Sequence, residues 1–323
     1  VTRLLLVELS RFRTRRSIAL LVLGTVVAAA LVAGLTAYQT RPLTQAERVD
    51  AQAQVDLAGR DPQVRSELRA CREAPTDYLG PEAEAADCAS ALLPAADSFY
   101  PREALDPVVV REGRGVQVGL LVAGLLIVAG STFAGGDWGS GSMATQLLFE
   151  GRRRRVWLAK AGAVVLGCAV TALVALAAFW AVLLLVARAR GVTVGGGELA
   201  DVALQVGRGV ALSAAAGLGA FALTMVFRHT VATLALLFVY AVGGEVAVSL
   251  LPIDGAGRWA VGTNAVGWLR TDYTYDDPSA TCSLLGRCSQ LQVLTHTEAV
   301  LFLGVLLVLA CVVSLAWFSR RDV

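Results

Sequence analysis

The chain has 323 residues, 56% of them hydrophobic and only 17% charged, with a mean hydropathy of +0.62. That apolar share exceeds what a soluble domain carries and excludes an ordinary solvated enzyme. The net charge of +2 says little as a total because the charges are segregated along the chain, whereas six apolar runs are each long enough to cross a bilayer. The predicted fold is an all-α polytopic membrane protein with six transmembrane helices.

Residues 1–16 (VTRLLLVELSRFRTRR) set Leu5, Leu9 and Phe12 on one helical face and Glu8, Arg11 and Arg15 on another. This pattern predicts an amphipathic helix lying in the membrane interface. Span one, residues 17–38, begins beside Arg15 and Arg16, which hold its start on the cytoplasmic side. No small-residue cleavage site follows it, so it reads as a retained span and not as a leader.

Residues 39–115 form the one sizeable polar segment and fall outside the membrane by parity, as an external helical cap. Thr44-x-x-Glu47 is a capping box, and Asp61-Pro62 and Gly80-Pro81 put proline where a first helical turn accepts it. Cys71 and Cys88, seventeen positions apart, lie in the oxidising compartment and are expected to pair. On the chain-entropy model a loop of that length stabilises by about 3 kcal/mol.

Span two covers residues 116–134 and returns the chain to the inner side. A cytoplasmic loop, residues 135–155, leads to span three, 156–187, and an external loop, 188–201. Span four, 202–227, is dense in small residues (Ser213, Ala214, Ala215, Ala216, Gly217, Gly219, Ala220), which lets helix backbones approach closely. A tight inner turn, Arg228-His229-Thr230, leads to span five, 231–251. Glu245 sits near the outer end of that span. An ionisable group at that depth faces protein or water, so Glu245 lines a transport path, bonds a neighbouring helix, or meets interfacial water. Residues 252–297 are external, and their first part, IDGAGRWAVGTNAVGWL, is too short to cross and too apolar for a loop, so it reads as helices dipping into the outer leaflet. Cys282 and Cys288, six positions apart, are expected to form a second disulfide; zinc is the competing reading, but no CxxC pair accompanies them and His296 alone is a poor ligand set. Span six, 298–317, ends at Arg320 and Arg321, which places both termini in the cytoplasm.

The loop between spans two and three, GGDWGSGSMATQLLFEGRRRRVWLAK, is the most informative stretch. Asp137 follows two glycines, a short amphipathic helix comes next with Met143, Ala144, Leu147 and Leu148 inward and Thr145 and Gln146 outward, and then come Arg152, Arg153, Arg154 and Arg155. Lys160, the only lysine in the chain, falls about one turn further on and is expected to snorkel to the headgroups.

The acidic turn, the leucine pair, the arginines and the run Val156-x-x-Ala159-Lys160 resemble the cytoplasmic coupling loop of ABC-2 type permeases, the membrane subunits of bacterial ABC exporters. The sequence departs from that pattern at Asp137, where Glu is commoner, and at Glu150-Gly151, where a proline is usual. The resemblance implies that Asp137, Trp138, Gly139, Met143, Leu147, Leu148, Glu150, Arg152 and Arg155 dock onto a separate ATP-binding subunit. It also implies a helix before span one that touches the same subunit, an outer gate of re-entrant helices before span six, and a location in the bacterial plasma membrane. The implied assembly holds two copies of the ATP-binding subunit and a second permease copy in the lipid bilayer, with no nucleic acid.

No GxxxxGK[ST], HExxH or GxSxG is present, and the two histidines, His229 and His296, are predicted on opposite sides. The chain is therefore expected to be no enzyme by itself and to hold no cofactor or metal; the resemblance implies that ATP and Mg are bound by the partner. The alternative function is an energised membrane anchor or sensor whose external cap binds a protein or peptide.

Overall fold

The computed structural model describes residues 2–81, 83–251, 253, 255–276 and 291–320. Cys282 and Cys288 lie outside the described residues, and so does the disulfide expected between them. The chain divides into two compact units, residues 1–34 with 106–323, and residues 35–105.

In the first unit an amphipathic helix, α1 (Thr2–Thr14), precedes α2 (Arg16–Gln39), within which the division into units falls. Among the described residues six helices are long and apolar enough to cross a membrane: Arg16–Gln39, Pro107–Gly139, Arg153–Ala189, Gly196–Phe227, Thr230–Val248 and His296–Arg320. All nine prolines of the sequence fall outside the interiors of these spans, where a missing N–H and a ring clash would break the ladder. Pro107 opens the second span at a first-turn position, behind Asp106, whose side chain accepts from Val108 N–H at 2.8 Å.

Four labels in the second unit come first in chain order: α3 (Gln45–Ala58), α4 (Pro62–Glu73), α5 (Pro75–Leu79) and α6 (Asp87–Leu92). The second span is then α7 (Pro107–Val110), a π-helical turn at Arg111–Gly115, and α8 (Val116–Gly139). Next come α9 (Ser142–Phe149), α10 (Arg153–Ala189) and α11 (Gly196–Phe227). The fifth span is α12 (Thr230–Val239), a π turn at Tyr240–Gly244, and α13 (Glu245–Ser249). The remainder is α14 (Val261–Leu269), β1 (Asp272–Asp276), β2 (Leu291–Thr295) and α15 (His296–Arg320). The antiparallel β1–β2 pair, with Thr274 opposite Val293, departs from the all-α expectation. DYTYD alternates with the period of two that suits a strand, whereas LQVLT sets Val293 beside Leu294 and buries only Leu294.

α11 is the hub of this unit, packing against α8, α10, α12, α14 and α15. Its small-residue face makes that possible. A Cβ on Gly130 of α8 would lie 2.2 Å from the carbonyl oxygen of Gly217, and one on Gly217 would lie 2.6 Å from Cys168 Sγ. Backbone therefore meets backbone at this crossing, as close helix packing in lipid requires. The π turn at Arg111–Gly115 displaces carbonyls from the ladder, and two of them take side-chain donors: Gln205 Nε2 donates to Arg111 O at 2.8 Å, and Arg270 donates to Glu112 O.

The second unit is built on α3 to α6 and a closing turn at Ala96–Phe99. The Thr44 capping box is formed, with Glu47 N–H donating to Thr44 Oγ1 at 3.3 Å and Thr44 N–H donating to Glu47 Oε2 at 2.9 Å. Asp61 caps α4 by accepting from Gln63 N–H at 2.8 Å, with Pro62 in the first turn. Gly80-Pro81 behaves differently from expectation: Gly80, at φ +104°, ends α5 instead of opening a helix. Cys71 and Cys88 are bonded, with Cα atoms 6.0 Å apart, and pack with Leu68, Val64, Leu92 and Leu93 into a small core. Arg102 grips Glu47 with both guanidinium nitrogens, at 3.0 and 2.6 Å. Tyr100 donates to Asp50 at 2.8 Å, so the returning chain is tied twice to α3.

Two outcomes follow from this packing. Gly130→Ala forces α8 and α11 apart and is expected to destabilise the protein by roughly 1–3 kcal/mol, read as a lowered melting temperature in detergent; Gly124→Ala, with nothing within 4 Å, serves as the neutral control. The Arg102 guanidinium and the Thr44 amide hold the Glu47 carboxyl well below the usual carboxylate range. A depressed folded-state pKa gives stability that is complete above the unfolded value, about 4.3 for glutamate, and lost as pH falls below it. Hydrogen exchange in the first turn of α3, corrected for intrinsic rate, should stay protected at neutral pH and open on acidification below that value, with Glu47→Gln removing the dependence.

Candidate functional site

The arginine run and the sole lysine meet at one end of the first unit. α1 lies along α10, where the glycines at 162 and 167 leave room for it: a Cβ on Gly167 would lie 2.4 Å from the Phe12 ring, and one on Gly162 would lie 3.0 Å from Leu5 Cδ1. Phe12 also meets Phe133 of α8, with ring centroids 5.4 Å apart. The apolar face predicted for α1 thus faces protein at these two positions.

That packing carries Glu8 inward, and both Glu8 and Lys160 are fully buried. Lys160 Nζ donates to Glu8 Oε2 at 2.9 Å and to Asp137 Oδ2 at 2.5 Å, and it lies 5.4 Å from the centroid of the Phe133 ring. Arg15 pairs with the other oxygen of Asp137 and donates to Phe133 O at 2.9 Å. Ser142 Oγ donates to Asp137 Oδ1 at 2.7 Å, and Gln146 Nε2 donates to Glu8 Oε1 at 2.7 Å. Two carboxylates and two cations therefore close a neutral network, with Arg11 at its rim 3.3 Å from Glu8. Burial of such charges is tolerated only when each is paired and bonded, as here. The network joins α1, the end of α8, α9 and the start of α10.

Several expectations change at this point. Lys160 does not snorkel; it is the centre of the network. Asp137 and Gly139 are not in a loop, because α8 continues through Gly139, five residues beyond the expected end of the span. The turn is confined to Ser140 and Gly141, and Gly141 holds φ +71°, a conformation that glycine adopts without penalty. On α9, Met143 is buried as predicted, but Gln146 turns toward Glu8, while Leu148 and Phe149 are 86% and 89% exposed. Phe149 is three positions on from Gln146, but the helix ends there and its last two side chains project away from the protein.

The remaining site residues surround this core. Trp138 faces the other way from Asp137, with the Arg228 guanidinium 4.5 Å from its ring centroid and Phe318 at 6.3 Å. Arg228 ends α11 at φ 58°, and His229 caps α12 by accepting from Ala232 N–H at 3.4 Å. Glu150 accepts from Arg152 N–H at 3.2 Å, and Arg152, Arg154 and Arg155 are exposed. Leu147 is half-buried.

Glu245 stands apart from this cluster, in the fifth span. It accepts from Gly262 N–H at 2.7 Å, while Tyr240 accepts from Val261 N–H at 3.3 Å. The two side chains from the π-bulged span thus take the first amides of α14, satisfying donors that a helix start leaves open and placing a carboxylate at the positive end of its dipole. Of the three readings open from the sequence, the bond to a neighbouring helix is the one the geometry displays. Among the described residues no group of His, Cys, Asp and Glu is arranged to hold a metal ion. No protein-family model, curated protein or solved structure matches this chain.

Sequence reasoning missed Glu8, Arg15 and Gln146 as partners of Lys160. The signal available was that a single lysine, beside twenty-seven arginines, stands inside an apolar helix. A compact ammonium directs three donors at separate acceptors, where the planar arginine fork matches one carboxylate. Lys160→Met leaves two carboxylates with too little cation and is expected to cost about 3–5 kcal/mol, read by thermal unfolding and by new protease cleavage within Thr2–Thr14. Adding Glu8→Gln restores neutrality and should recover part of that loss, so the double-mutant cycle is non-additive.

Proposed function

We propose that this chain is the permease subunit of an ATP-driven exporter of the ABC-2 type in a bacterial plasma membrane, moving a hydrophobic or amphipathic cargo. Two permease copies would assemble with two copies of a separate ATP-binding subunit, which would hold the ATP and Mg. The observation that carries the reading is the pairing of opposites on α9: Leu148 and Phe149 stand in the open, while on the same short helix Met143 is buried and Ser142 and Gln146 are anchored to the buried charge network. An apolar pair on a rigid base, next to exposed arginines, suits a protein groove on the cytoplasmic side.

In this mechanism the ATP-binding dimer moves α9 as it closes. α9 cannot shift alone, because separating Gln146 from Glu8 or Ser142 from Asp137 strips bonds from buried charges. The displacement passes to α1, α8 and α10 together. The spans then alternate between inward and outward openings, with Glu245 holding α14 near the far end.

A second reading is favoured by one feature. Residues 35–105 form a compact unit with its own core, disulfide and ion pairs, more than an exporter needs between two spans. On this reading the chain is an energised anchor or sensor, and the unit binds a protein or peptide while little cargo moves.

The test is reconstitution of the chain in proteoliposomes with the ATP-binding protein that co-purifies with it. ATPase stimulation is expected, and Leu148→Asp with Phe149→Asp should reduce it by tenfold or more, the loss of about 1.4 kcal/mol or more of docking energy, without a change in melting temperature. A cysteine introduced at Phe149 should react with an impermeant maleimide only from the inner side. Labelling from the outer side, or no stimulation with any co-purifying ATPase, overturns the proposal. Cargo movement that survives with residues 43–104 replaced by a short linker would favour export over sensing.

A further inference from the structure

At the opposite end of the first unit from the arginine run, an open groove of about 530 Å³ runs between the Ala256–Trp259 turn and the first turns of α15. Its position follows from α15 itself. Ser314 and Phe318 meet Trp157 and Trp138 at the arginine end, so His296 begins the helix at the other.

The groove changes character along its length. Its mouth holds Arg258 and Glu298, with Arg258 Nη2 3.5 Å from Glu298 Oε1 and both side chains half exposed. Below them the wall is Trp259, Leu301, Phe302 and Val305, ending at Leu306. From Glu298 to Leu306 is eight residues, about 12 Å along a helix, close to the depth of one leaflet of a bilayer whose core is about 30 Å thick. The exposed faces of Leu301 and Val305, at 62% and 56%, belong to a span that packs little against the rest of the chain. Trp259, 61% exposed and edge-on to Phe302 at 5.9 Å, sits where an aromatic ring marks the membrane interface.

We propose that this groove binds one phospholipid with a zwitterionic headgroup bearing a primary ammonium. The phosphate takes the Arg258 guanidinium, the ammonium takes Glu298, and one acyl chain lies along Leu301, Phe302 and Val305. The charges at the mouth support this choice over an anionic lipid. A lone arginine would suit any phosphate, but the adjacent carboxylate repels a second negative group and accepts N–H donors that an ethanolammonium has and a choline lacks. The pair is also free to open. At 3.5 Å it is longer than the 2.7–2.9 Å or so of a close charge-assisted bond. Glu298 stays in place without Arg258, because its other oxygen accepts from Thr295 N–H and Oγ1, each at 3.0 Å. The backbone under Arg258 is fixed too, with its carbonyl accepting from Asn264 Nδ2 at 2.7 Å. The proposal rests on the spans crossing a membrane and not on the exporter reading.

The experiment uses the full chain in phosphatidylcholine nanodiscs that carry a minor fraction of lipid brominated on its acyl chains, with phosphatidylethanolamine, phosphatidylcholine or phosphatidylglycerol headgroups. Quenching of Trp259 is read as the difference between the wild type and Trp259→Phe. The brominated ethanolamine lipid is expected to quench as if enriched about fivefold over the choline lipid, the ratio that one net hydrogen bond supplies. Arg258→Gln and Glu298→Gln should each return quenching to the choline level, and glutamine at 298 retains the acceptor that the Thr295 cap needs. Equal quenching by all three lipids means ordinary annular lipid and overturns the proposal. So does glycerol lipid quenching as strongly as ethanolamine lipid, which would leave arginine as the only determinant. Displacement by soluble phosphoethanolamine would reassign the site to a free headgroup and overturn it as well. The comparison of the three lipids, read from the wild type and Trp259→Phe, decides the matter even if Arg258→Gln or Glu298→Gln fails to fold.

Discussion

A single ammonium sets the conditions for one end of this molecule. Lys160 is buried on α10, and its charge is satisfied only if Glu8 reaches it from α1 and Asp137 reaches it from the end of α8. Arg15, Ser142 and Gln146 then complete the two carboxylates. Removing any one of these groups exposes another to an apolar surrounding, so the four elements that supply them are held as a set. This is a constraint on arrangement more than a gain in stability, since buried ion pairs seldom outperform well-packed apolar groups. The position of α1 depends on it, and so does the direction in which Leu148 and Phe149 project.

Much of the architecture was legible in the residues because membrane spans obey a blunt rule. In a bilayer about twenty apolar residues with no interior proline form a helix, because their backbone groups find no other partner, and all six runs are helical among the described residues. The capping box at Thr44 and the Asp61-Pro62 start were equally legible, since both are local. The Cys71–Cys88 bond could be expected from topology and spacing alone. The charge network was not legible, because its members are 137 − 8 = 129 and 160 − 137 = 23 positions apart and no periodicity links them. Nor could the face of α9 be assigned from eight residues: a stripe that short is compatible with several rotations, and the buried demand of Glu8 for a donor decided in favour of Gln146.

The irregular turns show the same division between local and distant causes. The π turns at Arg111–Gly115 and Tyr240–Gly244 have no clear local signature in the sequence, yet both occur where side chains and carbonyls near them engage another element. At the first, Gln205 and Arg270 take up displaced carbonyls. At the second, Tyr240 and Glu245 reach the amides that open α14. Helical regularity gives way in both places to a bond that only the folded chain can offer.

The crossing of α8 and α11 at Gly130 and Gly217 has a mechanical consequence. With no side chain between the two backbones to yield, this point would serve as the fulcrum for a tilt of α8. Asp137 lies seven residues to one side, about 10 Å, and Arg111 lies nineteen residues to the other, about 28 Å. A tilt that moves Asp137 sideways by one part moves the Arg111 end by nearly three, in the opposite direction. A small displacement near the arginines would then be returned enlarged at the π turn.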